Sequence, residues 1–208
     1  VKGVSSVSLS PDGKTVCYTA SSSDLKNQKS GSDIYIMNAD GSHAKALTED
    51  GKSSSAVWSK DGKSIFFTNY EKGTAQIFRM DLTTCETEQV TDYELGIGSP
   101  VISPDERYIA FTAEVYPDLG SDAKANKARM KKKEQGPVQA HIADKLLYRH
   151  WTSYNDGRCN HLILFDTQTK TYKDLTPGNY SLIFVVGGGI TYQFSPDSKE
   201  ICFVSNHD

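Results

Sequence analysis

No run of apolar residues in this 208-residue chain approaches the roughly 20 that a membrane-spanning helix needs, so no such helix is expected. Charge of one sign is lacking as well. With 23 basic and 26 acidic residues, nothing in the balance points to a general nucleic-acid binder, and no nucleic-acid or membrane partner is expected. Cysteine is sparse. Cys17, Cys85, Cys159 and Cys202 have no metal-ligand spacing, and the five histidines supply none, so neither a metal site nor any other cofactor is expected. No secretory leader opens the chain, which starts at Val1 inside a repeat pattern and is expected to be a fragment or a processed product.

What the chain does have is one motif written four times: Ser10-Pro-Asp-Gly-Lys14, Ser59-Lys-Asp-Gly-Lys63, Ser103-Pro-Asp-Glu-Arg107 and Ser195-Pro-Asp-Ser-Lys199. Pro presets φ for a tight turn, the Asp side chain caps nearby amides, and Gly or a polar substitute takes the strained position before the next strand. A β-branched and aromatic run follows each turn, over 15–20, 64–69, 108–113 and 200–205. The first Ser recurs after 49 and then 44 residues, about the length of one four-stranded propeller blade. These strands carry apolar residues on both faces, as a sheet stacked between two others requires.

A second pattern fixes the blade count. Asp33-Ile-Tyr-Ile-Met-Asn-Ala-Asp-Gly41 with Leu47-Thr48, Gln76-Ile-Phe-Arg-Met-Asp81 with Val90-Thr91, and His161-Leu-Ile-Leu-Phe-Asp166 with Leu175-Thr176 each read as one outer hairpin. Only one such hairpin falls within the 92 residues from Ser103 to Ser195, so that interval is one blade with an insertion of about 40 residues. The expected fold is all-β, a partial propeller of four-stranded antiparallel blades. Its blades cover approximately 1–50, 51–94, 95–180 with insertion 115–147, and an incomplete 181–208. Such an arc leaves strand edges open, to be closed by further blades or by a second copy in a homodimer. Cys17 and Cys202 hold the same slot of the frame as Phe66 and Ala110, so both are expected to be small buried hydrophobes.

Residues 121–135 are locally basic, with Lys124, Lys127, Arg129, Lys131, Lys132 and Lys133 against Asp122 and Glu134. Their composition suits a short helix that Gly136-Pro137 would end. Such a run is either a solvated surface or a contact for acidic partners or nucleic acid. Directly after it, Arg149, His150, Trp151, Tyr154, Asn155, Asp156 and Arg158 crowd together. That segment reads either as a strand edge turning at Asn155–Gly157 or as a pocket on the propeller face, where Trp and Arg serve as anchors.

At these residues the sequence resembles a known family. The repeated turns with the readouts "DIYIMNADG" and "LT" are similar to TolB-like periplasmic propellers and to the propellers of prolyl-oligopeptidase-family serine peptidases. Phe111-Thr-Ala-Glu-Val-Tyr-Pro-Asp118, the Lys-rich insertion and Leu147-Tyr-Arg-His-Trp-Thr-Ser-Tyr-Asn-Asp-Gly157 look like the dipeptidyl-peptidase-5 and acylaminoacyl-peptidase branch. The resemblance covers nearly the whole chain. It implies a C-terminal α/β-hydrolase domain with a Ser nucleophile in a Gly-x-Ser-x-Gly elbow, followed by Asp and His. No such elbow occurs in these 208 residues, so the chain holds no catalytic residue of that kind and should be inactive alone.

The implied role is substrate gating for an exopeptidase that releases dipeptides or acylated amino acids from short peptides, the missing domain being the partner. A free N-terminal ammonium wants a carboxylate, and Glu114, where the insertion leaves its strand, is the candidate; its alternative is an exposed strand-end acid. Trp151 would line the pocket and Arg149 would meet a substrate carbonyl. An enzyme releasing acylated residues would leave Glu114 no ammonium to bind. The resemblance favours a periplasmic or secreted location. The competing reading is a non-enzymatic TolB-like propeller that binds protein partners, and a third is a scaffold domain without a pocket.

Overall fold

The computed structural model describes residues 2–71, 73–137, 140, 149–150, 153–154, 156–182 and 191–205. It is a β-propeller portion built of four-stranded antiparallel sheets, and it divides into two compact units, 1–92 and 93–208.

Four copies of one turn start the strands. In the first, Ser10 Oγ donates to Asp12 Oδ1 at 2.7 Å while accepting from the Thr15 amide at 2.9 Å. The same carboxylate accepts from the Lys14 amide at 3.1 Å, and the Gly13 amide closes on the Ser10 carbonyl at 2.9 Å. Ser59 with Asp61, Ser103 with Asp105 and Ser195 with Asp197 repeat the set at 2.6–2.7 Å. The position before each basic residue has positive φ: Gly13 73°, Gly62 70°, Glu106 61° and Ser198 62°. Glycine takes that conformation without penalty, whereas Glu106 and Ser198 occupy it against steric cost.

Unit 1 holds two sheets. The first runs β1 (Lys2–Leu9), β2 (Thr15–Asp24), β3 (Lys29–Asn38) and β4 (Lys45–Ala46); the second runs β5 (Ser53–Trp58), β6 (Ser64–Asn69), β7 (Gln76–Asp81) and β8 (Thr87–Gln89). Both are simple meanders. Cys17, Ile34, Ala56, Ile65, Phe67 and Met80 form their common core, with Leu47, Trp58 and Phe78 packed against it. The Thr of each "LT" readout caps the strand that precedes it. Thr48 Oγ1 accepts from the Ile34 amide and Thr91 Oγ1 from the Ile77 amide, both at 2.9 Å.

Unit 2 holds β9 (Gly98–Ile102), β10 (Tyr108–Val115), α1 (Ala123–Glu134), β11 (Arg149–His150), β12 (Ser153–Tyr154), β13 (Cys159–Asp166), β14 (Thr171–Asp174), β15 (Tyr192–Phe194) and β16 (Ile201–Phe203). Its four-stranded sheet has the order β14-β13-β10-β9, so β10 and β13 pair directly although 43 residues separate their ends. Thr176 Oγ1 repeats the readout bond, accepting from the Leu162 amide at 2.9 Å. Ala110, Leu162, Leu182, Tyr192 and Phe194 form a core, and Tyr93, Phe111, Phe165 and Tyr172 make an aromatic stack beside it.

One expectation is corrected. Cys202 is exposed, unlike its frame-mate Cys17, which is fully buried. The reason is coverage: Ala56 of β5 lies over Cys17, close enough for its carbonyl to take the thiol at 3.6 Å, while among the described residues β16 pairs with β15 alone. The turn expected at Asn155–Gly157 includes Asn155, which lies outside the described residues. One repeat was missed altogether: Ser6, Ser55 and Ser99, each four residues before a turn Ser, have positive φ and mark a bulge in the leading strand of their sheets.

Candidate functional site

Continuing the β10–β13 ladder explains which side chains meet. Glu114 pairs with Asn160 and Val115 with Cys159, where the ladder ends, and Arg158 stands two residues before Asn160. Side chains two residues apart share a face of the sheet, which makes Glu114 and Arg158 diagonal neighbours. Arg158 Nη1 reaches Glu114 Oε2 at 3.0 Å. The Glu114 side chain is 64% exposed and that of Arg158 only 24%.

Arg158 is held from the other side by its neighbour. Its Nε donates to both carboxylate oxygens of Asp156 at 3.0 and 2.9 Å, and its amide donates to the same carboxylate at 3.2 Å. Burial works against the guanidinium charge, but the bond to Asp156 and the charge of Glu114 outweigh it and hold Arg158 above its ordinary range. One guanidinium thus carries two carboxylates.

Helix α1 braces this cluster. Asp122 caps it by accepting from the Ala125 amide at 2.9 Å, and Gln135 ends it one residue before Gly136. Asn126 is the only buried residue of the helix. Its Oδ1 accepts from the Tyr116 amide at 2.7 Å, and its Nδ2 donates to the carbonyls of Gly120 at 3.0 Å and Asp122 at 2.8 Å. This single side chain ties the helix to the end of β10. Further along, Arg129 lies 4.7 Å and Lys133 5.7 Å from the centre of the Tyr116 ring. Arg129 also forks onto Asp118 with two 2.7 Å bonds, which hold the Asp118 carboxyl below the usual range. Lys133 Nζ donates to the Asp156 carbonyl at 2.6 Å, and Met130 Sδ lies 3.9 Å from Arg158 Nη1. Tyr116 itself is buried, its hydroxyl has no hydrogen-bond partner among the described residues, and burial raises its phenol.

Of the residues singled out from sequence, Glu114, Arg129, Lys133, Asp156 and Arg158 stand in this cluster. Arg149 is placed on β11, opposite Tyr154, with its guanidinium 5.7 Å from that ring. Trp151 lies outside the described residues. Asn126 and Tyr116 went unnoticed because a polar residue in a polar helix and a Tyr at a strand end carry no signal until the register is known. Among the described residues no group of His, Cys, Asp and Glu could hold a metal ion, and the cluster's chemistry is ionic and hydrogen-bonding.

A family model described as the TolB beta propeller domain matches residues 2–139. Dipeptidyl-peptidase 5 of Porphyromonas gingivalis is 31% identical over 216 residues, an alignment covering 97% of this chain and 29% of that protein. Among solved structures, acylaminoacyl peptidase of Pyrococcus horikoshii is similar with a TM-score of 0.62 and 20% identity, over 85% of this chain and 25% of its own. TolB of Acinetobacter baumannii is similar with a TM-score of 0.58 and 20% identity, over 97% of this chain and 37% of its own. The two structural likenesses speak to the fold. The chain spans under a third of the length of the dipeptidyl-peptidase 5 it matches.

Proposed function

We propose, from the premise that this chain belongs to the TolB β-propeller domain family, that it is the substrate-gating propeller of a serine exopeptidase acting on peptide N-termini. The observation that carries this reading is the 31% identity to dipeptidyl-peptidase 5 across 97% of the chain, which takes in the β10 end, α1 and the Arg158 segment. Nucleophile and oxyanion hole belong to an α/β-hydrolase domain outside these 208 residues. The propeller admits short peptides and supplies contacts to their N-terminal end.

Within that role Glu114 takes the free ammonium of the substrate. Arg158 engages Oε2, which leaves Oε1 of an exposed carboxylate to accept from an ammonium group. In the same reading Arg149 meets a substrate carbonyl, and Trp151, outside the described residues, is assigned to the pocket from the sequence alone. A TolB-like partner-binding propeller is the second reading, favoured by the match to TolB over 97% of the chain.

The test is hydrolysis of dipeptidyl and acyl-aminoacyl chromogenic substrates by the full-length gene product, with the 208-residue chain alongside. Cleavage by the former and none by the latter is expected. Absence of cleavage by the full-length protein would refute the peptidase reading in favour of the partner-binding one.

A further inference from the structure

Helix α1 docks without an apolar anchor. Its one buried residue, Asn126, is polar, and the ties around it are polar too: Lys127 reaches Glu94 at 3.4 Å, Arg129 forks onto Asp118, and Lys133 donates to the Asp156 carbonyl at 2.6 Å. Most helices in proteins are fixed by a packed apolar face. One held by polar ties alone lifts locally before the sheet beneath it unfolds.

One of these ties has the make-up of a binding site. The Arg129 guanidinium lies 4.7 Å from the centre of the Tyr116 ring, while both its terminal nitrogens donate to the two oxygens of Asp118 at 2.7 Å. A ring face and a carboxylate thus meet on one planar cation, the combination that suits a guanidinium group. The Asp118 side chain is 63% exposed and that of Arg129 40%, so solvent reaches the pair. Tyr116 and Asp118 do not belong to the helix. They follow directly on β10, in a turn where the amides of Leu119 and Gly120 donate to the Tyr116 carbonyl at 2.9 and 3.1 Å. Arg129 belongs to α1 and leaves with it. The docked helix also leaves a donor unmet, because Tyr116 is 5% exposed and its hydroxyl has no partner among the described residues. An unmet buried donor is a standing cost of closure.

We propose that Tyr116 and Asp118 form a binding site for the guanidinium group of a peptide's arginine side chain, and that α1 closes this site by placing its own Arg129 there. Ligand and Arg129 exclude each other. The ligand therefore binds the lifted state alone and raises its population by mass action. The carboxylate of this site is Asp118, so the assignment is independent of what Glu114 binds.

Hydrogen exchange read by mass spectrometry on the full-length gene product tests this, with N-acetyl-arginine amide as the probe. One ring and one exposed carboxylate bind at about 10 mM, so about 50 mM probe should speed exchange of the α1 amides about fivefold. The uncharged isostere N-acetyl-citrulline amide and potassium chloride, each at the same concentration, should change it less than about twofold, and β10 and β13 should not respond. Asp118→Asn should raise the basal rate of α1 and abolish the response to the probe, whereas Glu114→Gln should keep that response. Equal effects of probe and salt, a response that survives Asp118→Asn or is lost in Glu114→Gln, or slower exchange of α1 in the presence of the probe overturns the site. Faster exchange of β10 and β13 along with α1 would be general destabilisation and overturns it too.

Discussion

Replacing Asn126 by Ala tests whether one side chain docks α1. The residue is fully buried and makes three hydrogen bonds to backbone: from the Tyr116 amide, and to the carbonyls of Gly120 and Asp122. Alanine removes all three and leaves the Tyr116 amide and the Gly120 carbonyl without these partners, while the Asp122 carbonyl keeps the Asn126 amide at 3.0 Å. At about 1 kcal/mol net for each bond, the docked helix should lose roughly 3 kcal/mol. The loss should be local, since β10 and β13 pair over eight residues without help from the helix. Hydrogen exchange read by NMR is therefore the right assay. Amides of α1 and of Tyr116 should exchange about 100-fold faster, roughly two decades for 3 kcal/mol, while those of β10 and β13 change little. Lys124→Ala, on the exposed face of the same helix, is the control and should move neither. A change below about fivefold in α1 would show that the Tyr116 platform and the Arg129–Asp118 fork hold the helix by themselves, and that the argument from buried bonds is wrong.

Other outcomes follow from the same physical grounds. Glu106→Gly should stabilise by about 0.5 to 1 kcal/mol in urea unfolding, because Glu106 holds positive φ, whereas Gly13→Ala should destabilise by a similar amount. The carboxyls of Asp12, Asp105 and Asp197, each holding a Ser hydroxyl, and of Asp61, led by the Lys63 amide, lie below their ordinary range. A depressed folded value means stability present above the unfolded range, about pH 4, and lost as pH falls through the folded values. The unfolding midpoint should therefore be flat from about pH 7 to about 5 and drop below about 4, and Asp105→Asn should blunt that drop. In a thiol assay at neutral pH, Cys85 and Cys202 should react at once, while Cys17, buried with its thiol pushed up to about 11, should wait for unfolding.

The propeller was legible because its signals are local. Pro presets a φ, Asp and Ser close a turn within five residues, and a Thr fourteen residues on caps the strand, so each short window carries its own structure. The same locality located α1 and its stop before Gly136. Burial was less legible. Cys17 and Cys202 are identical in their frame and differ only in what covers them, which no window of sequence contains. The Glu114 cluster was legible by half. The strand end and the crowded Arg158 segment could be marked, but that Arg158 meets Glu114 depends on the β10–β13 register, set by eight pairs across a gap of 43 residues. Asn126 was beyond reach for the same reason: its partners are backbone groups, and backbone groups have no letter in a sequence.

The central claim is that Glu114 receives the substrate's free ammonium. The most direct measurement is kcat/KM of the full-length gene product, wild type against Glu114→Gln, on a free-amine dipeptidyl substrate and on its N-acetylated counterpart. The account predicts a loss of about tenfold or more for the free amine, as expected for a charge-assisted bond, with the acetylated substrate unaffected. Equal rates for both enzymes on the free amine would contradict it and return Glu114 to an exposed strand-end acid paired with Arg158.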